Sequence, residues 1–294
     1  MDLNTIKTVV DAAHFLQQPS GGIVVSGIAP ATNTWGSGFA WLGGGTWLFS
    51  EPQPSIDTLV DLGQLDWPAI EQGPGGLEIA ATCTIAELDA FQSSREWKAA
   101  PLLRECCRSL LASFKIWNVA TVGGNICMSL PAGAMISLTT ALEGVYTLWP
   151  RDGSPRQVAA IDFVAGEHAN VLGAGELLRS IHLSATALRK TYAFRRCSLT
   201  QLGRSAVLLV GTHCPESGRF LLTITAATVR PLQIGFPRVP RPDELRAAIE
   251  QAVADPLYLD DPHGSPAYRR HMTYYFAEQI RSELAATGNA EPEQ

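Results

Sequence analysis

Two short stretches gather residues able to hold an anion with little more than backbone: Trp41-Leu42-Gly43-Gly44-Gly45-Thr46-Trp47-Leu48 and Thr121-Val122-Gly123-Gly124-Asn125. Adjacent glycines accept φ > 0 and let another group come close to the main chain, which is how a nest of amide donors is built. A tight turn without a ligand is the other reading of the second stretch. Neither fits G-x-G-x-x-G and neither carries the G-K-[ST] of a phosphate-binding loop, which disfavours a Rossmann nicotinamide site and an NTPase. Two separate glycine loops, each with Thr or Asn beside the amides, suit a long ligand with a central diphosphate and polar ends. Several oriented N–H groups share a diphosphate's charge without a lysine, and both stretches lack Lys and Arg.

Other chemistry has little support in the residues. Cys83, Cys106, Cys107, Cys127, Cys197 and Cys214 show no C-x-x-C spacing, so they read as buried small hydrophobes rather than ligands of an iron–sulfur cluster or a zinc ion. The six histidines are scattered, no H-x-x-x-H pair occurs, and no acid, base or nucleophile constellation stands out. Residues 1–99 hold eleven Asp/Glu against three Lys/Arg, and the chain carries a net charge of −6 with no basic stripe, which argues against nucleic acid as a partner. The first residues lack a basic, then apolar leader, and no run reaches the roughly 18 apolar residues of a membrane span, so a cytoplasmic protein is expected.

The elements that must position the two loops can be sketched from periodicity. Ile6–Gln17 repeats apolar positions at helical spacing and predicts an opening helix, with a strand at "GIVVSG" after it. "AWLGGGTWLF" reads as strand, glycine loop and the start of another element. "LEIAATCTIAELDAF" reads as a strand passing into a helix near Ile85, "PLLRECCRSL" as an amphipathic helix, and "IWNVATVGGN" as an extended return. A helix, a strand, an "RDGS" hairpin turn and a further strand follow. Helices and strands mix without a βαβ rhythm, which predicts α+β. A change of composition places a domain boundary near residue 186, with a smaller α+β unit over 187–287 ending in two helices and a disordered tail over 288–294.

The strings "LGGGTWL", "LEIAATCTIAEL", "IWNVATVGGNIC", "GELLRSIHL", "YAFRR" and "SPAYRRHM", in that order, resemble the FAD-binding medium subunit of the molybdenum hydroxylases, the xanthine dehydrogenase and carbon monoxide dehydrogenase family. The resemblance covers about residues 3–287. It implies a two-part FAD-binding domain of the vanillyl-alcohol-oxidase type over 1–186, split near 57. The amides of Trp41 to Leu48 would hold the FAD diphosphate and Thr121 to Asn125 would close over it. Leu178 and Arg195 match positions near the isoalloxazine ring. It also implies a large molybdopterin-binding partner, a small partner with [2Fe–2S] clusters, and a dimer of such heterotrimers. The chain departs from the family strings at Trp47, Leu130 and Ala134, where Asp, Ser and Asp are usual, and in an apparent insertion over Ala29–Phe39. Those departures leave a second expectation, an FAD-free assembly subunit. A free-standing oxidase is disfavoured, since no His or Cys is placed to tether a flavin.

Overall fold

The computed structural model describes residues 8–11, 35–151, 154–201 and 203–288. Strands β1 (Thr8–Asp11), β2 (Phe39–Leu42) and β3 (Thr58–Asp61) form a parallel sheet with β3 in the middle. The helix expected over Ile6–Gln17 is corrected here: its β-branched centre, Thr8-Val9-Val10, pairs in register with Thr58, Leu59 and Val60. Ladder partners distant in sequence override the local period. The rest of that segment, the "GIVVSG" strand and most of the Ala29–Phe39 insertion lie outside the described residues.

A hairpin of β4 (Ile70–Gly73) and β5 (Gly76–Ala80) leads into α1 (Ile85–Ala90), α2 (Pro101–Ser109), α3 (Phe114–Trp117), α4 (Val122–Cys127) and α5 (Ala134–Ala141). Helix α1 starts where the sequence places it because Thr84 and Glu87 form a reciprocal capping box. Pro101 at the first position of α2 is pre-set for helical φ. Strands β6 (Val145–Trp149) and β7 (Arg156–Ala159) come next, followed by α6 (Ala160–Phe163), the hairpin β8 (Val164–Gly166) and β9 (Ala169–Asn170), and the long β10 (Leu177–Ser184). Strand β10 inserts between β5 and β6 to complete an antiparallel sheet in the order β4-β5-β10-β6-β7.

After α7 (Ala185–Arg189), a meander of β11 (Thr191–Cys197), β12 (Val207–His213), β13 (Phe220–Thr225) and β14 (Leu232–Phe236) forms a second antiparallel sheet, followed by α8 (Pro242–Ala252) and α9 (Pro266–Gly288). Every residue of β13 is buried, since α5 packs against β12 and β13 while α9 packs against β11 and β12. Two covered faces explain a strand that reads as a continuous apolar and Thr run. The protein is thus α+β in two parts. Arg269 on α9 is 1% exposed, and its guanidinium donates to the carbonyls of Gly264, Ala206 and Ala226 and pairs with Asp261. A buried charge satisfied by that many acceptors locks the last helix to the sheet. Among the described residues no helix is long and apolar enough to cross a membrane.

Candidate functional site

Strand β2 ends at Leu42, and the chain then turns across the segment joining α3 to α4. A side-chain carbon on Gly44 would lie 1.7 Å from the Val119 carbonyl oxygen, so only bare backbone passes there. Gly45 adopts φ +67, in the left-handed region, and the Phe49 amide donates to the Gly45 carbonyl at 2.9 Å to close the turn. The amides of Gly44, Gly45, Thr46, Trp47 and Leu48 donate to no acceptor among the described residues. The first glycine stretch is therefore an open loop with unspent donors.

The second stretch is built otherwise and corrects two expectations. The segment "IWNVATVGGN" contains the helices α3 and α4 instead of an extended return, and Gly123 and Gly124 are helical residues with no left-handed φ. Thr121 caps α4, its hydroxyl accepting from the Gly124 amide at 3.0 Å. The Val122 and Gly123 amides donate to the carbonyls of Cys83 and Ala81 at 2.8 and 2.9 Å, and the Asn125 amide donates to the Thr121 carbonyl. These donors are spent within the fold. Gly123 is glycine for packing, since a side-chain carbon would lie 2.5 Å from the Ala81 Cβ. A glycine pair reads as a turn because it lacks helix propensity, and only the packing partner, far away in sequence, reverses that.

Asn125 connects this segment to the next helix. Its Oδ1 accepts from the Met135 amide at 2.9 Å, serving the start of α5, where Gly133 offers no side-chain cap. That bond fixes the carboxamide orientation and leaves Nδ2 without a partner among the described residues. Ala134, the first residue of α5, is 1% exposed, so the position where the family strings carry Asp is core here.

The two stretches meet at a pocket of about 330 Å³. Gly43, Gly44, Gly45 and Thr46 line it from the first stretch and Thr121, Gly124 and Asn125 from the second, with a side-chain carbon on Gly43 falling 2.9 Å from the Thr121 hydroxyl oxygen. Trp41, Trp47 and Leu48 supply apolar wall from the first stretch. The rest of the wall comes from Leu110, Ile116, Cys127, Met128 and Leu130, and Leu130 occupies a position where the family strings carry Ser. Loss of water around its sulfur raises the Cys127 thiol to about 12, so it contributes a neutral surface. The Trp41 indole Nε1 is buried without a hydrogen-bond partner. Trp47 packs beside His168, their rings 6.0 Å apart.

Not all the sequence-derived residues converge. Leu42 ends β2, while Val122 and Gly123 are on the buried face of α4. Leu178 is 1% exposed in the main core. Arg195 is held by Gln279 and Glu283 of α9, at 2.9 and 2.5 Å, and by the Phe194 carbonyl. Neither Leu178 nor Arg195 lines the pocket. The apolar wall from Leu110, Ile116 and Met128 carried no sequence signal, since isolated apolar residues in helices read as core.

These residues fit a flavin dinucleotide: unspent amides for an anion, a side-chain amide donor in the same pocket, and flat apolar walls for a ring. Comparison with known proteins agrees. Residues 28–185 match the family described as the FAD binding domain in molybdopterin dehydrogenase. The carbon monoxide dehydrogenase medium chain of Afipia carboxidovorans is 27% identical over 139 residues, 47% of this chain and 44% of that relative, so the match spans less than half of the relative's length. The crystal structure of the cyanide-inactivated Cu,Mo-CO dehydrogenase superposes with a TM-score of 0.70 at 23% identity, over 84% of this chain and 90% of that one. Reconstituted CO dehydrogenase from Oligotropha carboxidovorans gives 0.71 at 20% identity, over 94% and 96%. Quinoline 2-oxidoreductase from Pseudomonas putida 86 gives 0.69 at 21% identity, over 86% and 91%. At such identities the structural likeness establishes the fold.

Proposed function

The chain belongs to the family of FAD binding domains in molybdopterin dehydrogenase, and from that premise we propose that it is the flavoprotein subunit of a molybdenum hydroxylase. In this reading it takes electrons from [2Fe–2S] clusters of a small partner subunit and passes them to an external acceptor. A large partner carries the molybdopterin, one copy each of the large, small and flavoprotein chains forms a heterotrimer, two heterotrimers pair, and the assembly works in the cytoplasm. Bound FAD supplies the capacity to take up and release electrons singly or in pairs.

This chain's own part is binding and orientation. The amides of Gly44 to Leu48 neutralise the diphosphate, and Asn125 Nδ2 and the Thr121 hydroxyl serve other polar groups of the ligand. Trp41, Ile116 and Met128 exclude water around the ring system. The reading rests on the run of unspent amides from Gly44 to Leu48, whose residues line one pocket together with Asn125. Leu178 and Arg195 are not needed for it.

The spent amides of α4, and Trp47 where the family strings carry a carboxylate, favour a second reading: an FAD-free subunit retained for assembly. Acid extraction and fluorescence of the natively purified protein separate the two. Stoichiometric FAD is expected, and a chain and complex both without flavin would establish the assembly role instead.

A further inference from the structure

A separate pocket of about 590 Å³ lies in the C-terminal part, bounded by α8, the turn at Asp255 and the first turns of α9. Its size is that of a small-molecule site. Arg246 from α8 reaches it with no carboxylate within ion-pair distance and no hydrogen bond among the described residues, its guanidinium 5.0 Å above the Tyr274 ring. Arg270 from α9 donates from Nη1 to Asp255 at 2.9 Å and is also hydrogen-bonded to Tyr274, which leaves only part of its planar fork for a ligand. His271 stands beside them. The nearest further carboxylate along α9, Glu278, is engaged by both arms of Arg281.

The lining also contains an unmet polar group. Tyr258 is 5% exposed, and its buried hydroxyl has only the Thr273 side chain beside it, without a well-formed hydrogen bond. Leaving such a donor unpaired costs free energy that a bound acceptor would recover. Burial pushes the Tyr258 phenol up to about 12, so it remains a donor at neutral pH. Two guanidinium groups and an imidazole line the pocket beside a single carboxylate, with the Tyr258 hydroxyl buried in its wall, in a chain whose overall charge is negative.

We propose that this pocket binds a small molecule bearing a phosphate or carboxylate group, held by Arg246 and Arg270 with Tyr258 donating to the same anion. The site is independent of the flavin pocket, so its fate does not depend on whether FAD is present.

Calorimetric titration of the full-length protein with inorganic phosphate and, separately, with succinate, at matched ionic strength, tests the assignment. Saturable binding of at least one anion is expected, and whichever binds identifies phosphate or carboxylate as the recognised group. Removing one charge-assisted contact by Arg246→Gln is expected to weaken binding about tenfold. Tyr258→Phe deletes only that hydroxyl oxygen and is expected to weaken binding without lowering the melting temperature. Phosphate also suits the flavin pocket, so Gly124→Leu serves as control and is expected to leave this binding unchanged. No saturable heat with either anion, or binding untouched by Arg246→Gln, overturns the site. So does a Tyr258→Phe protein that melts lower yet binds as well as the parent.

Discussion

At Gly123 an added side-chain carbon would meet the Ala81 Cβ at 2.5 Å and the Ala81 carbonyl oxygen at 2.7 Å, whereas at Gly124 the one close atom is the Thr121 hydroxyl oxygen at 2.9 Å. Gly124 is exposed and lines the pocket, and Gly123 is buried. Gly123→Ala therefore forces α4 away from the strand end it packs against, at about 1–3 kcal/mol of stability. Gly124→Leu adds bulk at the pocket rim and crowds the Thr121 hydroxyl that caps α4 while replacing a poor helix former, and since these effects offset, stability is expected to stay near that of the parent. Denaturant unfolding paired with FAD extraction separates the two effects. Gly123→Ala should lower the unfolding midpoint, and Gly124→Leu should lose flavin with the midpoint retained. Full flavin occupancy in a folded Gly124→Leu protein would mean that FAD does not lie where we place it.

Helix α5 ends in a way that ties distant elements together. The Gly144 amide donates to the Thr139 carbonyl and the Glu143 amide to the Thr140 carbonyl, the paired bonds of a Schellman ending, and Glu143 takes φ +50 at the position where glycine is favoured. The strained residue is a glutamate because its carboxylate meets Lys190, which is 5% exposed, and Arg219 at 2.6 Å. Burial by itself would raise the Glu143 carboxyl, but the hydrogen bonds and charges of Lys190 and Arg219 outweigh that and hold it below its ordinary value of 4.5. A folded-state value below the unfolded one means that the native state binds fewer protons. Its contribution to stability is then complete above about pH 4.5 and fades as acid takes the carboxylate through its lower folded value. Glu143→Gln is expected to flatten that acid limb and to destabilise the protein at neutral pH by about 3 kcal/mol, because Lys190 is left buried without a counter-charge. Urea midpoints measured from pH 7 down to the acid limit check both, and identical pH profiles for the two proteins would remove the clamp. The start of α1 near Ile85 and helix α2 were legible because what fixes them, the Thr84–Glu87 capping box and Pro101 at the first position of α2, is local in sequence. The αL glutamate, strand β1 and helix α4 were not, since Lys190, the Leu59 ladder and Ala81 that decide them lie far along the chain.

The expected division near residue 186 falls within α7, the helix that joins β10 of one antiparallel sheet to β11 of the other. What composition could not show is that α5, from the first part, is buried along its whole length. Leu208, Val210 and Ala226 of the second part belong to the same apolar core as Leu138 and Ala141. Polar ties reinforce the contact: the Ser137 and Thr225 hydroxyls lie 2.7 Å apart, Gln233 Nε2 donates to the Thr140 carbonyl, and the Ala226 amide donates to the Pro131 carbonyl, both at 2.8 Å. A helix buried on every side needs cover on every side. Cutting after α7 would expose Leu138 and leave the buried hydroxyls of Ser137 and Thr225 without each other, so the first part should not reach a packed native state alone. A fragment of residues 1–189 is expected to keep far-UV helix signal, lose fixed near-UV signal and retain no FAD, and to regain both when co-expressed with residues 190–294. Flavin retention by the first fragment alone, with cooperative unfolding, would show that α5 is held by the first part and that the second sheet serves assembly rather than the flavin pocket.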